Sequence, residues 1–500
     1  MTFWRQTLTL IRIRADRAPV AKEIELKLEI APESAASLLA SDLLATGCRE
    51  IALHATYFDT AKHELHRQGH SLRIRSSGGK TVQTVKAGDV AAGLFSRGEW
   101  ELPVTGKRPM PDGRTPVSDL LAKRIDELVP LFEVPNVRNS CRLNGGNAEI
   151  EVAIDRAEAV AGDRVTRFCE LELELLSGDT AALFALARKI DAVAPVRISV
   201  QSKAERGYQL LGPLPNCIKA EQATLDPCMD LPAAFAAIAN SCLKQYRMNE
   251  AILLERYVPE AVHQARIGLR RLRSAMTLFK DVLTGPEAAT LKDRVSDLAR
   301  CLGEARDFDV LAAGAEPGPL LERLSHSRDG AHSAVQRRLK AKGTRLLLLD
   351  LSEWIADGDW RRDPATQTLR ETPLCEFAAN ALDRLRRKTA KHGKHLASLN
   401  PEARHRVRKD AKKLRYAVEF LAPLFGEKRR RKKFSQALQS LQDDLGGLND
   451  HASAQERLAS LGLAGTAEVE TFLARWNTDG LLEKAAKARH ALLDVKPFWH

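Results

Sequence analysis

Three things are scarce in this 500-residue chain: aromatic side chains, paired cysteines and long apolar runs. Aromatics make up 5% of the residues. Proteins that hold single-stranded nucleic acid use aromatic platforms to stack bases, so this scarcity counts against nucleic acid as the main ligand. The eight cysteines (48, 141, 169, 217, 228, 242, 301 and 375) include no C-x-x-C pair. Their scatter argues against a zinc ribbon or a disulfide framework and leaves ordinary buried thiols. No apolar run reaches the roughly 20 residues that a membrane helix needs, and arginines interrupt the opening MTFWRQTLTLIRIRADR where a signal peptide would keep an apolar core. A soluble, cytoplasmic protein is expected, with no membrane partner.

What is present is length and charge. Five hundred residues exceed one ordinary core and imply two or more domains. The formal net charge is +12, and it is uneven. Residues 1–215 hold 29 Lys+Arg against 28 Asp+Glu, while residues 216–500 hold 48 against 37. A basic surface that attracts an anionic partner therefore belongs to the second half.

The two halves differ in period. The stretch EIELKLEI, residues 23–30, alternates charged and apolar side chains strictly, as a half-buried strand does. Similar alternation at 50–58, 70–76, 80–86, 97–103, 136–143, 147–155 and 167–176 brings the expected strands to about eight, with helices at 34–46 and 179–192. GPLPNCIKAEQATLDPCMDLP, with four prolines, reads as a linker, and beyond it the patterns are helical. Strands followed by helices imply separate domains: an extension at 1–21, a strand domain at 22–210, a linker at 211–227 and a helical domain at 228–495. The helical half also repeats itself. HQARIGLRRLR at 263–273 matches HRVRKDAKKLR at 405–415, and LGEARDFDVL and LGGLNDHASA follow the two histidines at offsets of 39 and 40 residues, which implies a duplicated bundle.

On the charged faces of the first half acids dominate some strands and bases others, a rule that a solvated surface would not need. Arg73 and Arg75 align on one strand, as do Arg97, Glu99 and Glu101; Glu149, Glu151 and Asp155; and Glu170, Glu172 and Glu174. Rolled inward, about eight antiparallel strands enclose room for one small ligand. Carboxylates alone would repel a phosphate chain, and cations alone would hold it without hydrolysing it. Together they suit Mg²⁺ or Mn²⁺ on the carboxylates, with phosphate oxygens bridging to Arg and Lys.

Glu23-x-Glu25-x-Lys27, YFDT at Tyr57–Thr60, LRIR, Lys86, Arg138, EVAID, CELELELLSGDT and SKAERGY at Ser202–Tyr208 together resemble the CYTH domain, the triphosphate tunnel metalloenzyme fold, over about residues 22–210. With the helical domain appended, the arrangement is most similar to bacterial inorganic triphosphatases. The resemblance implies an eight-stranded antiparallel barrel with flanking helices and metal-dependent hydrolysis of tripolyphosphate to pyrophosphate and phosphate. It implies Glu23, Glu25, Glu170 and Glu172 as metal-facing acids and Lys27, Arg73, Arg75, Lys86, Arg138 and Lys203 as the phosphate grip. Glu99, Glu151, Asp155 and Glu174 face the same way, as candidates to hold a second metal or orient the attacking water. Asp59 reads as a turn residue, and NVRNSCRL departs from the family pattern after Arg138.

In the second half His263, Arg266, Arg270 and Arg273 share one helical face, and His405, Arg408, Lys412 and Arg415 repeat it. The pattern resembles the CHAD domain over about residues 228–495, whose implied ligand is long-chain inorganic polyphosphate. Such a polyanion needs cations and donors but no stacking platform, and it makes polyphosphate granules a candidate site of association. The six cations at 428–433 read first as a solvated turn between helices and second as extra polyanion surface; Asp307, Asp309 and Asp450 read as orienting the basic side chains. The expected architecture is α+β, a barrel tunnel followed by an all-α bundle. Rival readings are a thiamine triphosphatase, a class IV-type adenylate cyclase, or a polyphosphate-granule binder without activity.

Overall fold

The structure is a computed structural model and describes residues 24–44, 47–87, 98–110, 115–145 and 147–500. The extension at 1–21, Glu23 and Arg97 lie outside the described residues. The chain divides between Leu214 and Pro215 into two compact units.

In the first unit the described residues form nine antiparallel strands: β1 Glu25–Ile30, β2 Arg49–Thr60, β3 His70–Ser77, β4 Lys80–Ala87, β5 Gly98–Pro103, β6 Leu128–Gly145, β7 Ala148–Ala161, β8 Arg164–Ser177 and β9 Val196–Ile198. Their order across one sheet is β5-β4-β3-β2-β6-β7-β8-β1-β9. Eight match the expected segments; the three-residue β9 is too short to show alternation. Among the described residues five α-helices accompany them: α1 Pro32–Leu39, α2 Glu64–Arg67, α3 Val117–Leu121, α4 Ala181–Val193 and α5 Lys203–Leu210. The expected helix over 34–46 is shorter, because α1 ends at Leu39 and a 3-10 turn follows at Asp42–Leu44.

The apolar face of the sheet is its outer face. Leu26 and Leu28 of β1 and Leu171 and Leu173 of β8 have no exposed surface, and α1 and α4 pack against this edge of the sheet. With the apolar side chains so committed, period-two geometry sends Glu25, Lys27, Glu170, Glu172 and Glu174 inward. Register then decides which charges meet. Arg138, Asp155, Glu170 and Glu29 are successive cross-strand partners on β6, β7, β8 and β1. Four residues along, about 13 Å at strand rise, Arg142, Glu151, Glu174 and Glu25 form a second row.

Helix α5 closes one end of this arrangement. Its N-terminus is a capping box: Ser202 Oγ accepts from the Glu205 amide at 3.1 Å, and the Glu205 carboxylate accepts from the Ser202 amide at 2.7 Å. Gly207 is required there, since a Cβ would come within 2.0 Å of the Phe132 ring. The Tyr208 hydroxyl donates to Asp59 at 2.9 Å, and the same carboxylate accepts from the amides of Thr60, Leu65 and His66. Asp59 thus ties α2 and α5 to the end of β2, the turn role expected of it.

The second unit is helical throughout: α6 Leu231–Glu255, α7 Pro259–Leu278, α8 Pro286–Gly314, α9 Pro319–Lys340, α10 Lys342–Asp357, α11 Gln367–Arg370, α12 Leu374–His392, α13 Pro401–Leu421, α14 Lys428–Ser460, α15 Ala467–Ala474 and α16 Thr478–Asp494. Proline at the first turn of α7, α8, α9 and α13 presets the helical φ where no amide donor is needed. Gly268 lets α7 approach α6, because a Cβ would stand 2.9 Å from the Tyr246 amide nitrogen. Each repeat is a basic helix followed by the helix carrying the second motif, α7 with α8 and α13 with α14, and α7 touches α13. The run at 428–433 is not a turn: α14 begins at Lys428. Phe434, Leu438, Leu441 and Leu445 bury one stripe at helical spacing, and that burial draws the preceding cations into the helix.

Candidate functional site

The inward charges of the first unit surround a cavity of about 220 Å³ to which β1, β2, β3, β4, β5, β6, β8 and the start of α5 all contribute. Lys27 Nζ lies 2.7 Å from Glu172 and 3.3 Å from Glu25. Burial alone would lower this ammonium, but Glu172 and Glu25 override it and hold it above its usual range. On the opposite wall Lys86 is 2.6 Å and Arg73 3.7 Å from Glu99. Burial would raise the Glu99 carboxyl, and Lys86 and Arg73 instead keep it below its ordinary value. Arg75 meets Glu101 at 3.1 Å.

The deepest cluster belongs to Lys203. Its ammonium stands 2.8 Å from Asp155, 2.7 Å from Glu170 and 2.9 Å from Glu172. Arg138 donates to both Asp155 oxygens, at 2.7 and 2.6 Å, and pairs with Glu172. The carboxylate oxygens of Asp155, Glu170 and Glu172 lie within 4.8 Å of one another. Carboxylates alone are the donor set of a hard divalent cation, so these residues fit one. Asp155 and Glu170 have no exposed surface, and burial would raise Asp155; Lys203 and Arg138 hold it below its ordinary value. Glu172 is held well below, because Lys203, Lys27 and Arg138 outweigh its burial. Glu174 behaves oppositely: burial, then Glu151 and Glu25, push its carboxyl up.

Among the acids marked in the sequence, Glu25, Glu99, Glu172 and Glu174 line the cavity, with all six expected phosphate-gripping cations. Asp155 and Glu170 sit behind Lys203, and Glu151 stands beside Arg142 at 3.8 Å. Glu29 is committed to Arg206 at 2.9 Å. Sequence reasoning assigned no role to Tyr57, whose phenol is a hydrogen-bond partner of Arg73, or to Glu101. Both lay in quoted motifs, and their inward parity was the available signal.

In the second unit, Arg266 and Arg270 of α7 and Arg408 and Lys412 of α13 form one cationic cluster. Burial, then Arg408, Arg270 and Arg266, pull Lys412 down to about 7. His263 falls to about 4 through burial beside Arg306, Arg270 and Arg266, so it is neutral at pH 7. The second motif orients the basic helix in both repeats. Arg266 meets Asp307 at 4.0 Å, and at the equivalent position Asp450 attracts Arg408; Arg306 neighbours His263, and Asn449 hydrogen-bonds His405. Asp309 accepts from the Tyr257 hydroxyl at 2.9 Å and lies 3.0 Å from His332. Arg273 is not part of this cluster, its charged neighbours being Arg300 and Asp293. Arg415 lies over the Tyr416 ring, 3.9 Å from Glu419. Arg271, a repeat position without an expected role, is buried between Gln245 of α6 and Glu419 of α13 at 2.9 and 2.6 Å.

Residues 21–208 match the CYTH domain family and residues 237–459 the CHAD domain family. An inorganic triphosphatase of Haemophilus influenzae is 31% identical over 196 residues, which are 38% of this chain and 55% of that protein. The chain thus spans little more than half of that relative's length. An uncharacterized protein of Mycobacterium tuberculosis is 27% identical over 460 residues and 84% of each chain. Among solved structures, the CHAD domain from the plant Ricinus communis is 28% identical at a TM-score of 0.47, covering 56% of this chain and 97% of that one. Among the described residues, no helix is long and apolar enough to cross a membrane. The sheet with its charged cavity and the doubled helix pair accompany these matches: the chain is a CYTH domain followed by a CHAD domain.

Proposed function

We propose that the first unit hydrolyses tripolyphosphate to pyrophosphate and phosphate with Mg²⁺ or Mn²⁺, and that the second binds long-chain inorganic polyphosphate, with 22–210 and 228–495 as the functional domains. The observation that carries the first part is the convergence of Lys27, Arg73, Arg75, Lys86, Arg138 and Lys203 with Glu25, Glu99, Glu172 and Glu174 on one cavity. A phosphate chain needs both signs there, cations for its oxygens and carboxylates for a metal.

Glu25 and Glu172 are the metal-facing acids that line the cavity, whereas Glu170 lies behind Lys203 with Asp155; an ion at either pair would displace the lysine now touching it, Lys27 or Lys203. In this reading the ion is held by Glu25 and Glu172, and Glu170 and Asp155 anchor Lys203 and Arg138 for the phosphate. When bound, such an ion supplies positive charge to the phosphate oxygens and polarises a water. Glu99 orients Lys86 and Arg73, and Glu174, with Glu151 behind it, aligns the attacking water. Tyr57 is the one aromatic among the described lining residues, and its ring is stacked on Phe132 at 4.8 Å. A ring so committed offers no platform for a base or thiazole, which favours a bare triphosphate over ATP or thiamine triphosphate.

For the second unit the carrying observation is the cluster of Arg266, Arg270, Arg408 and Lys412, where like charges are held together at a cost in repulsion that a polyanion relieves. At the start of α14 the cations at 428–433, exposed except for the part-buried Arg431, offer a polyanion further positive charge. Phosphate release from tripolyphosphate, ATP and thiamine triphosphate, measured side by side with Mg²⁺ or Mn²⁺, tests the first part. Tripolyphosphate should turn over fastest, and Glu25→Ala should abolish the release. Equal turnover of ATP would transfer the assignment to a nucleotide-using tunnel enzyme, and no turnover of any of the three would leave a binder without activity.

A further inference from the structure

The cysteines read as unremarkable in the sequence, yet the fold brings two of them together. β2 begins at Arg49, whose cross-strand partner on β6 is Ser140. Cys48 and Cys141 are the next residues outward on the two strands and therefore face each other. The side chain of Cys48 is the hydrogen-bond partner of the Cys141 thiol. Directly opposed residues of an antiparallel pair have Cα atoms about 4.5 or 5.5 Å apart, and both spacings fall within the roughly 4.4–6.8 Å that a disulfide spans. Both thiols are free; Cys141 is buried and Cys48 partly exposed.

The location gives the pair a consequence. Among the described residues, the β2–β6 ladder is the seam that joins β5-β4-β3-β2 to β6-β7-β8-β1-β9. Arg73, Arg75, Lys86 and Glu99 stand on one side of the seam, and Arg138, Glu172 and Glu25 on the other. A covalent tie at the Cys48 end would fix the two walls of the cavity to each other three residues from Arg138.

We propose that Cys48 and Cys141 are a reversible cross-strand dithiol that a low-molecular-weight disulfide, RSSR, oxidises to a cystine. Cys48, the more accessible thiol, gives its proton to solvent and attacks one sulfur of RSSR; the Cys48–SR bond forms, the RS–SR bond breaks, and RS⁻ leaves and is protonated. The Cys141 thiol then gives its proton to solvent and attacks the Cys48 sulfur, forming the Cys48–Cys141 bond and expelling the second RS⁻. Two protein thiols are oxidised by two electrons, and RSSR is reduced to two RSH. Burial, then the neighbouring Cys48 sulfur, pushes the Cys141 thiol up to about 12. A thiol so raised is a poor first nucleophile, which suits it to the second, intramolecular step.

The test is incubation of the full-length protein with oxidised glutathione, alkylation of the remaining thiols and peptide mapping. The expected map has a Cys48–Cys141 linked peptide, the other thiols alkylated, and complete reversal by dithiothreitol; the oxidised protein should also melt several degrees higher, because the closed loop is long. Cys141→Ser should retain glutathione on Cys48, since the displacing thiol is gone, and Cys48→Ser should leave Cys141 unmodified. Wild-type protein that keeps glutathione on Cys48 without a link, alkylates at both positions, or links two chains through either cysteine would overturn the proposal. None of these readings involves triphosphate turnover, so the outcome is independent of the proposed function.

Discussion

Lys203 is the side chain on which most of the cavity's charge balance rests. It touches three carboxylates at once, and Asp155 and Glu170 among them are wholly withdrawn from water. Removing one partner of such a buried set leaves uncompensated charge and costs about 3–5 kcal/mol. We expect Lys203→Met to lose about that much stability at pH 7, read from urea unfolding in the presence of a chelator. The pH dependence should also flatten. In the wild type, Asp155 and Glu172 are held below their ordinary values, so their contribution is present above the unfolded value of about 4 and is lost as the pH falls through the folded values. In the variant burial is opposed only by Arg138 at Asp155 and by Lys27 and Arg138 at Glu172, so both carboxyls sit closer to their ordinary values and less stability is lost as the pH falls. Parallel pH profiles for the two proteins would show that Lys203 does not hold these acids.

At the scale of elements, α7 and α13 are copies that have diverged in their partners. Arg271 is a buried bolt, whereas its counterpart Lys413 is half exposed, 3.9 Å from Asp410. The shared part is the cluster of Arg266, Arg270, Arg408 and Lys412. Lys412, drawn down to about 7, carries its full charge only below that pH. Retention on immobilised polyphosphate should therefore weaken as the pH rises from about 6 to 8, and Lys412→Arg should flatten that dependence, because arginine stays charged throughout. Removing the charge of Arg270 and Lys412 together should lower retention at every pH, and unchanged retention would exclude this cluster as the binding surface. Helix α5 is the corresponding device of the first unit. Its capping box, Gly207 against Phe132 and Tyr208 on Asp59 set the helix so that Lys203 enters the cavity.

At the scale of the whole molecule, the proposed function gives the two units different chemistries, and chelation should separate them. Stripping divalent ions with EDTA should abolish phosphate release from tripolyphosphate while leaving polyphosphate retention unchanged, because carboxylates hold the ion in one unit and fixed cations hold the anion in the other. Full turnover in EDTA would remove the metal from the proposal.

Much of this organisation was legible from residues alone. Strict alternation in EIELKLEI assigned each side chain of β1 to a face, and the doubled His/Arg motif announced the paired basic helices, because periods of two and of three to four follow directly from backbone geometry. Alternation carries no information about depth or neighbours, however. Lys27 meets Glu172, 145 residues away, only through the β1–β8 register; the burial of Asp155 and Glu170 behind Lys203, and the pairing of Cys48 with Cys141, depend likewise on which strands lie side by side. The run at 428–433 read as a turn because six adjacent cations repel one another, and its helix forms through the apolar stripe that follows. Local periodicity thus settled which faces are charged and which helices are related, while the choice of partner for each charge waited on long-range strand pairing and packing, whose register no local pattern encodes.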